Sequence, residues 1–167
     1  MDEISVKREI GASRAHIFEI LLDLSARPSF TDHFMDEFHV ERIPPSGVGA
    51  AARFQTGPRR NRMWMETVIT EAEPHARVVE QGKGGRSDRI PTFTTWTLQT
   101  LGDERTEVRV TFRTEPGLRS DRMKERGTSG WYRRRWKRAL GRLQEVSESQ
   151  AAPERIRVAG GDRVPVT

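Results

Sequence analysis

The fold is decided by the stretch Ser129–Ser149, which reads SGWYRRRWKRALGRLQEVSES. At 3.6 residues per turn, a helix over this stretch has one apolar side that is about 120° wide. The residues on that side are Tyr132, Trp136, Ala139, Leu140, Leu143 and Val146. Those that point away are Arg134, Lys137, Arg138 and Arg142. A long helix with one apolar side must bury it, so the rest of the chain should form a surface that covers this helix.

The sequence before this helix predicts one early strand, two short helices and then six more strands. Residues 3–10 alternate as a strand, Ser13 is a suitable N-cap for a helix over 14–24, and a second short helix runs from Pro28 through Phe38. The later strands are predicted at Phe38–Ile43, Ala50–Thr56, Arg62–Ala72, Arg77–Gln81, Thr92–Thr100 and Glu107–Glu115. Short turns between strands favour nearest-neighbour antiparallel pairing. We therefore predict an α+β fold, a seven-stranded curved antiparallel sheet wrapped around the long C-terminal helix.

Length and composition favour one domain. The 167 residues are enough for a core or a ligand cavity, and 34% of them are apolar and 32% charged. The chain contains no cysteine, which excludes disulfides and thiolate metal sites. No apolar run approaches the roughly 18 residues of a membrane span, and no signal-peptide pattern opens the sequence, so a cytoplasmic protein is expected. We assign residues 1–149 to the domain and 150–167 to a disordered tail with few large apolar residues.

The positive charge is concentrated in one segment. The formal net charge is +5, but residues 119–142 hold ten Lys/Arg and two Asp/Glu, a local +8, which leaves −3 for the remainder. Such a segment could bind an anionic partner, whether nucleic acid, lipid headgroups or an acidic protein. The alternative is an ordinary solvated helix surface.

Four motifs in a fixed order carry a resemblance to a known family. They are residues 10–13 followed by Ile17-Phe18, residues 46–49 followed by Arg53-Phe54, the strand and Pro turn of residues 64–74, and the closing helix of residues 136–143. Over residues 2–148 the chain resembles the START-like, helix-grip superfamily, and specifically the SRPBCC polyketide cyclase/dehydrase and lipid-transport family. The resemblance implies a cavity between sheet and long helix that holds apolar or amphipathic ligands. It implies no single reaction, because such folds host carriers, sensors and enzymes.

Large side chains on the strands and on the long helix are the candidate walls of this cavity, since aromatic and methionine side chains adapt well to apolar ligands. The candidates are Phe34, Phe54, Trp64, Met65, Phe93, Trp96, Phe112, Tyr132, Trp136 and Leu140. Strand alternation alone leaves open which face of each strand is concave. It also leaves open whether the same residues form a filled core instead.

Two charged strand residues, Arg8 and Glu66, are the polar candidates for the cavity. Facing inward they would pair and could orient a carbonyl or phenolate, whereas on the convex face they would be solvated. No residue is assigned a catalytic role. The spacing of His33, Asp36 and His39 does not converge on a metal ion, so neither a metal nor another cofactor is predicted.

The preferred hypothesis is a small intracellular protein that binds or carries a hydrophobic or amphipathic ligand between the sheet and the C-terminal helix. Residues 28–38 and the Gly-rich loop 82–91 are candidates for its entrance. One alternative is a cyclase- or dehydratase-like enzyme on the same scaffold. Another is a basic interaction module through residues 119–142 for nucleic acid or an anionic membrane. Nucleic acid is the less favoured of these two partners, because Tyr132 and Trp136 belong to the buried side and cannot stack on bases.

Overall fold

The structure is a computed structural model that describes residues 1–149 and 151–156. Its elements are β1 (Ile4–Ile10), α1 (Arg14–Leu22), α2 (Pro28–Thr31), β2 (Asp36–Val40), β3 (Ala51–Thr56), β4 (Met63–Glu73), β5 (Arg77–Gly84), β6 (Ile90–Gly102), β7 (Arg105–Thr114), α3 (Arg119–Glu125) and α4 (Ser129–Glu148). No helix in the described part of the chain is long and apolar enough to cross a membrane.

All seven strands form one antiparallel sheet in the order β1-β7-β6-β5-β4-β3-β2. Strands β2 to β7 pair with their sequence neighbours, and β1 pairs with β7 at the far edge. Helix α1 begins as predicted, because the Ser13 side chain accepts a hydrogen bond from the His16 backbone N–H. The predicted α+β helix-grip architecture is confirmed.

Helix α4 packs its apolar side against the sheet. Tyr132, Trp136, Leu140 and Leu143 are all buried, whereas the cationic side of the helix faces solvent. The Trp136 ring meets the Trp96 ring of β6 with centroids 5.5 Å apart in an edge-to-face arrangement. Burying a large apolar side chain contributes about 1.5–3 kcal/mol, so this row of contacts holds the helix to the sheet.

The structure shows which face of each strand is concave. Met65 in β4 and the alternating β6 residues Thr94 and Trp96 face α4, so their neighbours face outward. In β5 the inward position of Gly82 brings two strands unusually close. A Cβ atom there would lie 1.8 Å from the backbone oxygen of Glu66, so only glycine permits this approach.

Two predicted segments differ from the structure, and one helix was not predicted. The second helix ends at Thr31 rather than continuing through Phe38, because residues 36–40 pair with β3 and strand pairing overrides their helical spacing. The predicted loop 82–91 shrinks to residues 85–89, since Gly84 pairs with Ile90. Helix α3 was not predicted because its side chains lack an apolar stripe.

Part of the predicted tail contacts the domain. The Ile156 backbone N–H donates to the Ser25 carbonyl at 3.0 Å, and Arg155 forms an ion pair with Asp23 at 2.6 Å. These contacts join the segment of residues 151–156 to the connection between α1 and α2. Residue 150 and residues 157–167, the rest of that tail, lie outside the described residues.

The packing of α4 against the sheet predicts how truncating a buried side chain of this helix changes the free energy of unfolding. Leu143→Ala should lower the free energy of unfolding by about 2–5 kcal/mol, because it leaves a cavity at a fully buried position. Arg138→Ala, on the exposed side of the same helix, should change it by less than about 0.5 kcal/mol. Urea unfolding monitored by tryptophan fluorescence measures both. Equal effects would mean that α4 is not held by its apolar side.

Candidate ligand-binding site

A small enclosed space lies between the first half of α4 and the concave face of the sheet. Its volume is about 20 Å³, which holds about one water molecule. The lining residues come from both helical and strand layers: Leu24, Arg27, Phe34, Met35, Phe38, Phe54, Thr56, Met65, Glu66, Thr67, Glu80, Thr92, Thr94, Phe112, Tyr132 and Trp136. Larger hollows occur on the outer surface, but they are open to solvent and have no comparable apolar wall.

Aromatic side chains form most of the apolar wall. The rings of Phe34 and Trp136 meet edge to face with centroids 5.1 Å apart, and those of Phe38 and Phe54 stack at 5.6 Å. Met35 and Met65 complete the wall. Because methionine side chains are flexible and polarizable, this part of the wall can adapt its shape to an occupant.

A buried ion pair forms the polar end of the site. Arg27 Nη2 lies 2.7 Å from Glu80 Oε1, and both side chains are no more than 3% exposed. Both members of the pair make further hydrogen bonds. Arg27 donates to the Leu21 carbonyl. Glu80 accepts from Trp96 Nε1 at 2.7 Å and from Thr67 Oγ1 at 3.1 Å. The additional hydrogen bonds offset the cost of removing two charges from water.

Local structure explains how these two residues reach the interior. Arg27 precedes Pro28, the first residue of α2, and its guanidinium lies 5.6 Å from the Phe30 ring and 5.1 Å from the Trp96 ring. Glu80 alternates with the buried Val78 along β5 and therefore faces α4. Aromatic faces and a central strand thus fix both charges in one orientation.

Four hydrogen-bond donors around the space have no partner among the described residues. They are Arg27 Nε, Thr56 Oγ1, Tyr132 Oη and Trp136 Nε1. A buried polar group without a partner costs about 1–3 kcal/mol, so a folded chain seldom leaves several in one place. Among the described residues, Glu80 is the acidic residue whose carboxylate faces the space, and it already accepts from three donors. Arg27 Nε and Trp136 Nε1 can only donate, and the two hydroxyls can donate or accept, so the site suits a partner that brings acceptor atoms.

The Tyr132 hydroxyl remains a donor across the physiological pH range. Burial raises the pKa of Tyr132, because the phenolate would lose its hydration. The nearby Thr56 hydroxyl partly offsets this rise, although the two groups do not meet hydrogen-bond geometry. Tyr132 can thus hydrogen-bond an acceptor but does not supply an anion.

The structure brings together six of the predicted site residues around the space: Phe34, Phe54, Met65, Phe112, Tyr132 and Trp136. Glu66 also borders the space, but it shares the convex face of β4 with Trp64, because Met65 and Thr67 face inward. Trp96 and Leu140 are buried in the adjoining core rather than on its wall. Trp64 and Phe93 lie on the convex face of the sheet, because their strand neighbours face inward. There Arg53 covers the Trp64 ring at 5.1 Å, and Arg113 covers the Phe93 ring at 4.3 Å.

The pairing that Arg8 and Glu66 would make if both faced inward does not form. Strands β7, β6 and β5 separate β1 from β4, so the two side chains are far apart in the sheet. Arg8 is exposed and donates to Gln144 of α4 instead. Its prediction as a cavity residue is therefore corrected.

The sequence interpretation missed Arg27 and Glu80, the pair that occupies the polar end. Glu80 could have been found, because it alternates with Val78 in a central strand where an acidic residue needs a buried partner. Arg27 belongs to no periodic segment. Its inward direction depends on the turn between α1 and α2, which the residue types alone do not specify.

The ion pair predicts a strong coupling between its two members. Arg27→Met should destabilise the fold by about 3–5 kcal/mol, because it leaves the Glu80 carboxylate buried without a counter-charge. Adding Glu80→Gln removes that charge and keeps an acceptor for Trp96, so the double variant should be more stable than Arg27→Met alone. Urea unfolding of the two single variants and the double variant measures the coupling.

The control is the exposed pair of Arg77 and Glu71. Substituting the same residue types there should change the free energy of unfolding by less than about 1 kcal/mol, with little coupling. Additive effects at the buried pair would contradict the assigned geometry.

Solved structures of three proteins have a similar fold. The aromatase/cyclase Zhui from Streptomyces sp. R1128 has a TM-score of 0.69 at 14% identity, covering 96% of this chain and 98% of that one. Major latex-like protein 151 from Panax ginseng gives 0.65 at 13%, covering 89% and 98%. A START superfamily protein from Mycobacterium smegmatis gives 0.63 at 16%, covering 86% and 97%. At these identities the likeness concerns the fold alone.

These neighbours confirm the SRPBCC/START-like fold to which the sequence motifs pointed. No curated protein sequence matches the chain significantly. A family model described as activator of Hsp90 ATPase homolog 1-like protein matches residues 11–148, which include every element from α1 to α4. The chain belongs to the family of activator of Hsp90 ATPase homolog 1-like proteins.

Proposed function

We propose that this protein binds a small amphipathic molecule in the space between α4 and the sheet. The observation that carries the proposal is the group of unpartnered donors on Arg27, Thr56, Tyr132 and Trp136. They converge on an interior space whose remaining walls are mainly aromatic and methionine side chains. A few oriented polar groups in an apolar enclosure are typical of small-molecule sites.

The unpartnered donors define the chemistry of the ligand. Its polar end would carry acceptor oxygens, such as a ketone, a quinone or a carboxylate, which can accept from Tyr132, Thr56 and Trp136 together. Its body would be flat and apolar and would pack on Phe34 and Phe54. A plain hydrocarbon would leave the donors unpaired and is therefore selected against.

Binding requires the walls to move apart, because about 20 Å³ is far smaller than a typical ligand site of roughly 300–1,000 Å³. The segment around Met35 and Phe38 is best placed to move. Phe38 is half-buried, and it lies on β2, an edge strand whose pairing with β3 shifts register between Asp36 and His39. This supports residues 28–38 as the entrance.

Binding is favoured over acid–base catalysis. The Zhui neighbour is named an aromatase/cyclase, and a cyclase-like reaction on this scaffold would require a general base at the ligand. Glu80 is the acidic side chain that faces the space, and hydrogen bonds from Arg27, Trp96 and Thr67 occupy most of its acceptor capacity. A residue held in this way orients and neutralises its neighbours rather than accepting a substrate proton.

The hydroxyl groups predict opposite effects on stability and on binding. Tyr132→Phe and Thr56→Val each remove a buried hydroxyl that has no partner among the described residues, so the ligand-free protein should be equally stable or about 1 kcal/mol more stable. Each variant should bind 1-indanone roughly fivefold or more weakly than the wild type, yet bind indane equally well. NMR chemical-shift titration measures binding, and urea unfolding measures stability.

1-Indanone and indane are matched probes, because they share a bicyclic skeleton and differ in one carbonyl. Thr97→Val, on the exposed face of β6, is the matched control for Thr56→Val and should alter neither affinity. If neither probe perturbs the lining residues of the wild type, the proposed site is wrong. Equal affinities of the wild type for both probes would retain an apolar site but contradict the assigned ligand class.

A further inference from the structure

We propose that α3 and the exposed side of the first half of α4 dock onto an anionic lipid surface. This surface, termed the basic face, follows the chain from the residue before α3 into the third turn of α4. It consists of Leu118, Arg119, Arg122, Met123, Lys124, Arg126, Arg133, Arg134, Lys137 and Arg138.

The first line of evidence is that the carboxylates of this segment turn inward. Asp121 accepts two hydrogen bonds from Arg89, at 2.7 and 2.8 Å, and is only 5% exposed in its side chain. These hydrogen bonds hold the pKa of Asp121 below its usual value, so it remains charged and paired. Glu125 is also buried and accepts from the Thr114 hydroxyl at 2.7 Å. Neither acid therefore interrupts the cations on the outside.

Within the described residues, two of the ten Lys/Arg of residues 119–142 contact another side chain, while Arg122 donates to the Pro116 carbonyl at 3.0 Å and stays exposed. Arg135 lies over the Trp131 ring at 5.2 Å, and Arg142 forms an ion pair with Asp32. The other eight are exposed and belong to the basic face. A cluster of this size next to the surface of a protein is typical of attraction to anionic lipid headgroups.

The second line of evidence is two exposed apolar side chains among these cations. Met123 is 70% exposed and Leu118 is 50% exposed. Apolar side chains between cations suit the boundary between lipid headgroups and acyl chains, where both kinds of group find a favourable environment. An ordinary solvated helix surface gains nothing from them.

A nucleic acid fits the basic face less well. Single-strand binding relies on aromatic rings that are free to stack on bases. The nearest ring, Trp131, is half-buried between Arg135 and the Phe34 ring, whose centroid lies 6.2 Å away. The face therefore combines charge with aliphatic groups and presents no free aromatic ring.

The basic face lies beside the enclosed space. Tyr132 is in the first turn of α4, and the Thr114 hydroxyl at the end of β7 binds α3 through Glu125. Asn61 Nδ2 donates to the Lys124 carbonyl at 2.9 Å, which ties α3 to the hairpin that follows Thr56. Docking through this face would bring that end of the domain to the lipid surface, where amphipathic molecules are concentrated.

Vesicle co-sedimentation tests the proposal with two lipid compositions, phosphatidylcholine alone and phosphatidylcholine with 30% phosphatidylglycerol. The wild type should bind the anionic vesicles at least tenfold more strongly, and added salt should weaken the binding. The triple variant Arg119→Gln/Lys124→Gln/Arg126→Gln should lose about a hundredfold in partitioning to them. The control variant Arg77→Gln/Lys83→Gln/Arg105→Gln loses the same charge, but its substitutions lie on β5 and β7, away from the basic face. Its partitioning to anionic vesicles should fall by less than about threefold.

Met123→Ser separates lipid docking from simple charge attraction. It should weaken vesicle binding several-fold while leaving the salt dependence unchanged.

The proposal is overturned if the wild type does not prefer anionic vesicles, or if the control triple variant loses as much vesicle binding as the first triple variant. It is also overturned if a 20-base-pair DNA duplex binds more tightly than the vesicles and Met123→Ser has no effect. Titration with 1-indanone should be unaltered in the first triple variant, which keeps this test separate from that of the proposed function.

Discussion

The contact of Trp136 with the concave face of the sheet is the interaction on which the rest of the structure depends. Its ring meets Trp96 on β6, Phe34 after α2 and Phe112 on β7, so one side chain joins three layers. The sheet must curve around α4 to make these contacts at once. The remaining apolar residues of the helix extend the same contact toward its C-terminal end, where Leu143 is fully buried.

The two halves of α4 differ in what they face. The C-terminal half packs mainly into an apolar core and carries one unpartnered hydroxyl, that of Ser147, whereas the N-terminal half borders a space with a buried ion pair and four unpartnered donors. Such groups reduce stability, and an interior under selection for stability alone would replace them with apolar side chains. We interpret the concentration of these polar groups beside the N-terminal half of α4 as the mark of a binding site. Burial of the C-terminal half offsets the stability that these groups cost.

The sequence predicted the architecture well because the fold depends on periodic patterns. The 3.6-residue spacing in Ser129–Ser149 and the alternation of six later strands are local signals, and both agree with tertiary packing. The site was predicted only in part, since alternation does not say which face is concave, and Trp64 and Phe93 proved to lie on the convex face. Arg27 could not be found at all, because its direction is set by a turn rather than by a period.

Helix α3 escaped prediction for a related physical reason. Its pattern is inverted, with Asp121 and Glu125 buried and Met123 exposed, so the usual rule that apolar residues mark the inner side does not apply. Partners outside α3, Arg89 just before β6 and Thr114 at the end of β7, determine this orientation. Long-range hydrogen bonds of this kind leave no trace in local sequence spacing.

Native mass spectrometry of the protein after gentle purification is the most direct test of the central claim, that the space beneath α4 receives a ligand with acceptor oxygens. The account predicts a one-to-one complex whose released molecule carries a carbonyl or carboxylate on an apolar body. A protein of bare polypeptide mass under conditions that preserve other non-covalent complexes, or a bound molecule that is a plain hydrocarbon, would contradict it.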